Sequence, residues 1–136
     1  MKTGENLWPI FQYESKIKEV PFYANVSDND FFKKHQRVVA RFLAPDSPNR
    51  GLLVYHLPGT GKTRAAIATI LHHCIAKNKI AIFLPASIKK SFQAEFTDPK
   101  KGILGKMIES KMIDKSIKDY ILDEKNVRYV HYNGLN

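Results

Sequence analysis

Cysteine is nearly absent. One residue, Cys74, stands alone in 136, so no disulfide can form within the chain and a reducing compartment fits. No apolar run approaches the ~18 residues that a membrane-spanning helix needs. An N-terminal signal segment is missing too, because Lys2, Glu5 and Pro9 interrupt the first residues. These absences lead to the expectation of a soluble intracellular protein with no membrane partner. Acids are scarce, 13 against 22 Lys and Arg, and the formal net charge is +9. Such an excess favours a polyanionic partner, either nucleic acid or an acidic protein surface. Acidic pairs are scarcer still. Asp123–Glu124 is the single adjacent one, and a helical run precedes it, not an apolar strand. Repeats and low-complexity stretches are also lacking, and 43% hydrophobic with 26% charged residues is ordinary globular usage, enough for one domain with a core.

What the chain does hold is organised around Leu52–Leu53–Val54–Tyr55–His56–Leu57–Pro58–Gly59–Thr60–Gly61–Lys62–Thr63. An apolar, strand-like run meets a glycine-bearing turn, then Lys-Thr, then the alanine-rich Arg64–Ala65–Ala66–Ile67–Ala68. That order predicts strand, phosphate loop, helix. Loop N–H groups and a helix N-terminus present partial positive charge to a polyphosphate. Lys62 would add a full charge at the β- and γ-phosphates and the Thr63 hydroxyl would bind Mg²⁺. Gly59 and Gly61 allow the backbone to approach closely. The general pattern G-x-x-x-x-G-K-[ST] expects glycine where this chain has His56, but Gly61-Lys62-Thr63, the part that touches phosphate and metal, is intact.

The remaining chain reads as α/β. Residues Met1–Asn29 are an irregular arm with aromatics at Trp8, Phe11, Tyr13, Phe22 and Tyr23, too many to leave exposed. From Asp30, a candidate cap, Phe31, Phe32, His35, Val38, Val39 and Phe42 recur at helical spacing. Gly51–Tyr55 is the expected first core strand. From Lys62 to about Ala76, the stripe Ala66, Ile67, Ile70, Leu71, Cys74 and Ile75 predicts a helix. His72, His73 and Cys74 cannot converge on one metal, because successive helical residues point about 100° apart. Ile80–Leu84 reads as a strand buried on both faces of a parallel sheet. A helix follows from Ala86–Ser87, with Ile88, Phe92 and Phe96 at i, i+4 and i+8. One further helix is expected from Ile103 to Glu124, then a strand over Val127–Tyr132 and a turn at Asn133–Gly134. The lysines of the 103–124 stretch lie among acids and read as a solvated face by default, with a nucleic-acid surface as the minority reading.

Three stretches together resemble one family. They are His35–Gln36–Arg37–Val38–Val39 through Ala44–Pro45, the phosphate-loop run, and Phe83–Leu84–Pro85–Ala86–Ser87 with Ser91–Phe92 and Glu95–Phe96, closed by Tyr129–Val130–His131–Tyr132–Asn133. The chain over roughly 30–136 resembles the first RecA-like domain of a superfamily II helicase. More narrowly, it resembles the helicase-like ATPases of nucleocytoplasmic large DNA viruses, including the poxvirus early transcription factor small subunit and relatives of the Swi/Snf ATPases. In those families His or Asp often replaces the first glycine of the loop. The resemblance implies a viral ATP hydrolase that binds ATP, Mg²⁺ and DNA or RNA, with a link to transcription, in the virion or the host cytoplasm. It implies that Gln36 reads the adenine edge, and that His56, Pro58, Gly59, Thr60, Gly61, Lys62, Thr63 and Arg64 surround the nucleotide, with Lys62 and Thr63 catalytic. Pro85, Ala86 and Ser87 would touch a nucleic-acid backbone.

The expected organisation is an arm over 1–29 and, over 30–136, the first part of a helicase ATP-binding domain that stops before the acidic motif. The metal-binding carboxylates and a second RecA-like domain with its arginine finger would lie on the rest of a longer ATPase. Two alternatives stand beside this reading. One is a module that binds nucleotide or nucleic acid without turnover. The other is a small phosphotransferase of the nucleoside-kinase type, which would need an Asp or Arg after the second strand and an arginine-bearing lid; Phe83–Leu84–Pro85–Ala86–Ser87 supplies neither.

Overall fold

The structure, a computed structural model, describes residues 31–54 and 61–131. Its elements there are α1 (Lys34–Phe42), α2 (Lys62–Ile75), β1 (Ile80–Leu84), α3 (Ala86–Phe96), α4 (Ile103–Glu109), α5 (Lys115–Leu122) and β2 (Val127–His131). β1 and β2 pair in parallel, from Ile80 opposite Val127 to Leu84 opposite His131. Parallel neighbours cannot be joined by a hairpin, and α3, α4 and α5 supply the crossover. The chain is therefore mixed α/β, a small parallel sheet with flanking helices, as its sequence pattern predicts. The arm over 1–29, the candidate cap Asp30, and Tyr132 with the Asn133–Gly134 turn lie outside the described residues.

The core gathers on α2. Ile67, Ile70, Leu71 and Cys74 recur at i, i+3, i+4 and i+7 and are all buried, and Phe96, Ile103, Leu104, Ile117 and Val127 close over them. Full burial of one such side chain contributes roughly 1.5–3 kcal/mol. The stripe on α2 is rotated from the expected one. Ala65 and Ala68 are buried, whereas Ile75 is 54% exposed and Ala66 faces out. α1 packs along α2. α1 is rotated in the same way: His35 is exposed, and Gln36 and Ala40 are buried in its place. The helix begins at Lys34 with Lys33 as its N-cap residue.

Three further expectations are corrected. β1 is not buried on both faces. Its residues alternate and Phe83 is 64% exposed, because among the described residues the helices cover one face of the sheet. The expected strand Gly51–Tyr55 is not one over its described part, residues 51–54. Leu53 is 87% exposed and no described strand pairs with this segment, so an extended chain has no ladder to join. The single helix expected from Ile103 to Glu124 is two. Lys111 adopts φ 62°, the Met112 N–H reaches back to the Met107 carbonyl at 3.0 Å, and Asp114 restarts the helix by accepting from the Ser116 N–H at 2.8 Å. The break lets Met107 and Ile113 both reach the core.

Candidate nucleotide-binding site

Helix α2 starts at Lys62, and Gly61 stands before it as the N-cap residue in the left-handed region, φ 84° and ψ 45°. Glycine suits that conformation because it has no Cβ. Here a second reason applies, since a Cβ on Gly61 would run into the amide nitrogen of Gln36. The first helical hydrogen bond runs from the Ala65 N–H to the Gly61 carbonyl at 3.2 Å. The N–H groups of Lys62, Thr63 and Arg64 therefore precede the helical ladder, as the first N–H groups of any helix do. No side-chain cap takes their place and the first turn holds no acid. Lys62 is exposed and Thr63 half-buried. A 14-residue helix with an uncapped, cation-bearing start fits an anion. A threonine hydroxyl in that turn suits Mg²⁺, a hard cation that takes few protein oxygens beside phosphate.

Gln36 is the buried polar residue among the described residues, 4% exposed, and its amide is held at both ends. Oε1 accepts from the Lys33 N–H at 2.9 Å, and Nε2 donates to the Gly61 carbonyl at 3.1 Å. α1 thus reaches the last residue of the loop directly. One N–H and one lone pair of the amide remain for any further partner. Arg64 extends sideways: Nε donates to Glu95 Oε1 at 2.9 Å and Nη1 to the Phe31 carbonyl at 2.9 Å. His56, Pro58, Gly59 and Thr60 lie outside the described residues.

Pro85, Ala86 and Ser87 stand where β1 ends and α3 begins. Pro85 is the N-cap residue at φ −63° and ψ 146°, its carbonyl accepts from the Ile88 N–H at 3.0 Å, and Ala86 and Ser87 are exposed. Lys89 Nζ lies 5.6 Å from the Tyr129 ring centroid, and burial raises the Tyr129 pKa, which keeps the phenol neutral. The structure thus brings Gln36 to Gly61, and keeps Pro85–Ser87 at a separate helix start. The residue that sequence reasoning left without a role is Glu95. Its signal was available, because it is the one acid in a helix that otherwise carries Lys89 and Lys90.

His72, His73 and Cys74 diverge. His72 is exposed, and its pKa is lowered first by partial desolvation and then by His73 and Arg41. His73 Nε2 bonds the Leu43 carbonyl at 2.6 Å, and Cys74 is fully buried with its thiol raised to about 11 by that burial. Among the described residues no helix is long and apolar enough to cross a membrane.

The fold and this helix start define a mixed α/β chain whose α2 begins uncapped behind a left-handed glycine. No family model matches it, and no solved structure does. Known proteins do. One protein of Acanthamoeba polyphaga mimivirus, "Putative ATP-dependent RNA helicase", is 42% identical over 64 residues, 47% of this chain and 11% of its own length. A second mimivirus protein of the same description is 30% identical over 146 aligned positions, 98% of this chain and 17% of its own length. A "Putative helicase" of Frog virus 3 is 40% identical over 55 residues, 40% of this chain and 6% of its own length. The likeness to these viral proteins supports a helicase-like family. The chain spans no more than 17% of the length of these relatives.

Proposed function

We propose that the chain is the ATP-binding portion of a viral, nucleic-acid-dependent ATPase of helicase type, built as part of a RecA-like domain. The observation that carries this reading is Gly61, held left-handed at the uncapped start of α2 with Lys62 and Thr63 as the first helical residues. Its support from outside the chain is the ATP dependence in the names of the two mimivirus relatives. Lys62 would place its charge at the β- and γ-phosphates, and the N–H groups of α2's first turn would add their partial charge. Mg²⁺, when bound, neutralises phosphate charge, and the Thr63 hydroxyl would hold it. His56, Pro58, Gly59 and Thr60 would complete the loop around the phosphates. Gln36 would meet adenine with the N–H and lone pair that Lys33 and Gly61 leave over. Pro85, Ala86 and Ser87 would take a nucleic-acid phosphate at the start of α3, and the basic balance of the chain favours that partner. DNA or RNA as the nucleic acid, a role in transcription, and a second RecA-like domain on the rest of a longer protein complete the proposal.

A second reading, binding without turnover by this polypeptide, has its own observation. The adjacent acids Asp123 and Glu124 sit in the turn before β2. Asp123 Oδ1 accepts from the Lys125 N–H at 2.9 Å, and its carbonyl accepts from Asn126 and Val127. They shape a turn, and do not follow a strand into a site. Phosphoryl transfer needs a positioned water and charge stabilisation beyond the loop, and an arginine finger alone is worth roughly 10³–10⁵ in rate. Residues 1–136 are therefore expected to bind Mg-ATP weakly and to hydrolyse it negligibly, with no stimulation by DNA or RNA. Phosphate release measured with and without each nucleic acid checks this, and robust stimulated hydrolysis would reject the second reading.

A further inference from the structure

The residue after Thr63 is an arginine, and an arginine beside a phosphate loop reads first as one more cation for the polyphosphate. Its bonds point elsewhere. Nε and Nη1 hold Glu95 Oε1 and the Phe31 carbonyl, each at 2.9 Å, so the guanidinium joins α2 to α3 and to the segment before α1. A planar guanidinium has a fixed donor fork, so serving two acceptors from two edges sets its plane. Both acceptors stand beside buried residues. Glu95 precedes Phe96, which is fully buried, and Phe31 precedes Phe32, which is 6% exposed. The ion pair itself is about one-third exposed on both sides, and a bond of that kind orients more than it stabilises.

The first turn of α2 is thus gripped at two points. Gln36 holds the Gly61 carbonyl from α1, and Arg64 is held by Glu95 from α3. A helix start recognises phosphate through N–H groups of fixed direction, so a small roll of the turn misaligns all of them together.

We infer that Arg64 is a positioning residue, which through Glu95 and Phe31 orients Lys62 and Thr63 and does not itself contact phosphate. The inference rests on the reading of Gly61–Thr63 as a polyphosphate site. Glu95 thereby gains a role in nucleotide affinity although, as an anion, it is no ligand for one.

Mg-ATP titration of residues 1–136 tests this in wild type, Glu95→Gln, Arg64→Lys, Arg64→Ala and the Arg64→Ala/Glu95→Gln double variant. Glu95→Gln is expected to weaken binding roughly three- to tenfold, although it removes a negative charge. Arg64→Lys should weaken it similarly, since one ammonium cannot reproduce the fork to both acceptors. The double variant should lie within about twofold of Arg64→Ala, because the two changes break one interaction. Unchanged affinity in Glu95→Gln, with a loss in Arg64→Ala that Arg64→Lys restores, would overturn the inference and make Arg64 a phosphate ligand. If Arg64→Ala fails to fold, wild-type affinity in either Arg64→Lys or Glu95→Gln overturns it by itself. Wild type that binds no Mg-ATP would overturn the phosphate-site reading as well, whereas wild-type binding with an indifferent Glu95→Gln overturns only the role of Arg64.

Discussion

At its N-terminal end α2 is tied by polar bonds, the Gly61 carbonyl to Gln36 and Arg64 to Glu95 and Phe31, whereas at its C-terminal end Leu71 and Cys74 sink into the core. There the chain leaves through Lys77 at φ 63°, with the Asn78 N–H bonded to the His73 carbonyl at 2.9 Å. The two ends answer different demands. Apolar burial is strong and non-directional, so it fixes that a helix is present and which side faces inward. Hydrogen bonds contribute less net stability but set angles, and an end proposed to present N–H groups to an anion needs angles. One helix can therefore be stabilised at one end and aimed at the other.

Substitutions at the two ends should separate these roles. Leu71→Ala removes a side chain that is 2% exposed and should lower stability by about 2–5 kcal/mol, seen in a denaturant melt. Mg-ATP affinity of the molecules that remain folded should hardly change, and a large affinity loss would break the comparison. Gln36→Ala strands the Gly61 carbonyl and the Lys33 N–H and should cost a smaller ~1–3 kcal/mol. Its distinguishing effect is on binding: the gap between ATP and GTP affinity should narrow if the amide reads adenine, and an equal loss for both would limit Gln36 to holding Gly61. The smallest effect is expected away from α2, at the other lysine with a positive φ. Lys111→Gly should leave the protein as stable or more stable by about 0.5–1 kcal/mol, because a left-handed residue with a Cβ is strained and glycine is not. A clear destabilisation would mean that the lysine side chain contributes more than its backbone strain costs.

The apolar half of this design was the legible half. The 62–75 helix follows from periodicity, though its buried stripe is rotated from the expected one; Ile80–Leu84 follows from a short continuous apolar run, and a parallel pair from strands separated by helices. Polar details were less legible because each depends on a partner far along the chain. Gln36 is buried on account of Gly61, 25 residues later, and no local pattern distinguishes it from a surface glutamine. The same holds for Arg64, whose bond to Glu95, 31 residues on, no local pattern announces. The break between α4 and α5 lies between these cases. Asp114 and Ser116 are a recognisable helix start, but the continuing apolar spacing through Met112 and Ile113 concealed it, and a lysine in the left-handed region gives no sequence signal at all. The strand expected at Gly51–Tyr55 needed a neighbour to pair with, which a single segment cannot reveal.

Everything proposed for the N-terminal end of α2 depends on Lys62. Alanine there keeps the helix start, since it is a good helix former, and removes the ammonium together with its alkyl stem. Mg-ATP affinity of Lys62→Ala, measured by titration against the wild-type chain with circular dichroism confirming the fold, is therefore the most direct measurement. A loss of about tenfold or more is expected, from removing a charge-assisted contact to the β- and γ-phosphates. Unchanged affinity in a folded Lys62→Ala variant would contradict the assignment of Gly61–Lys62–Thr63 as a phosphate site.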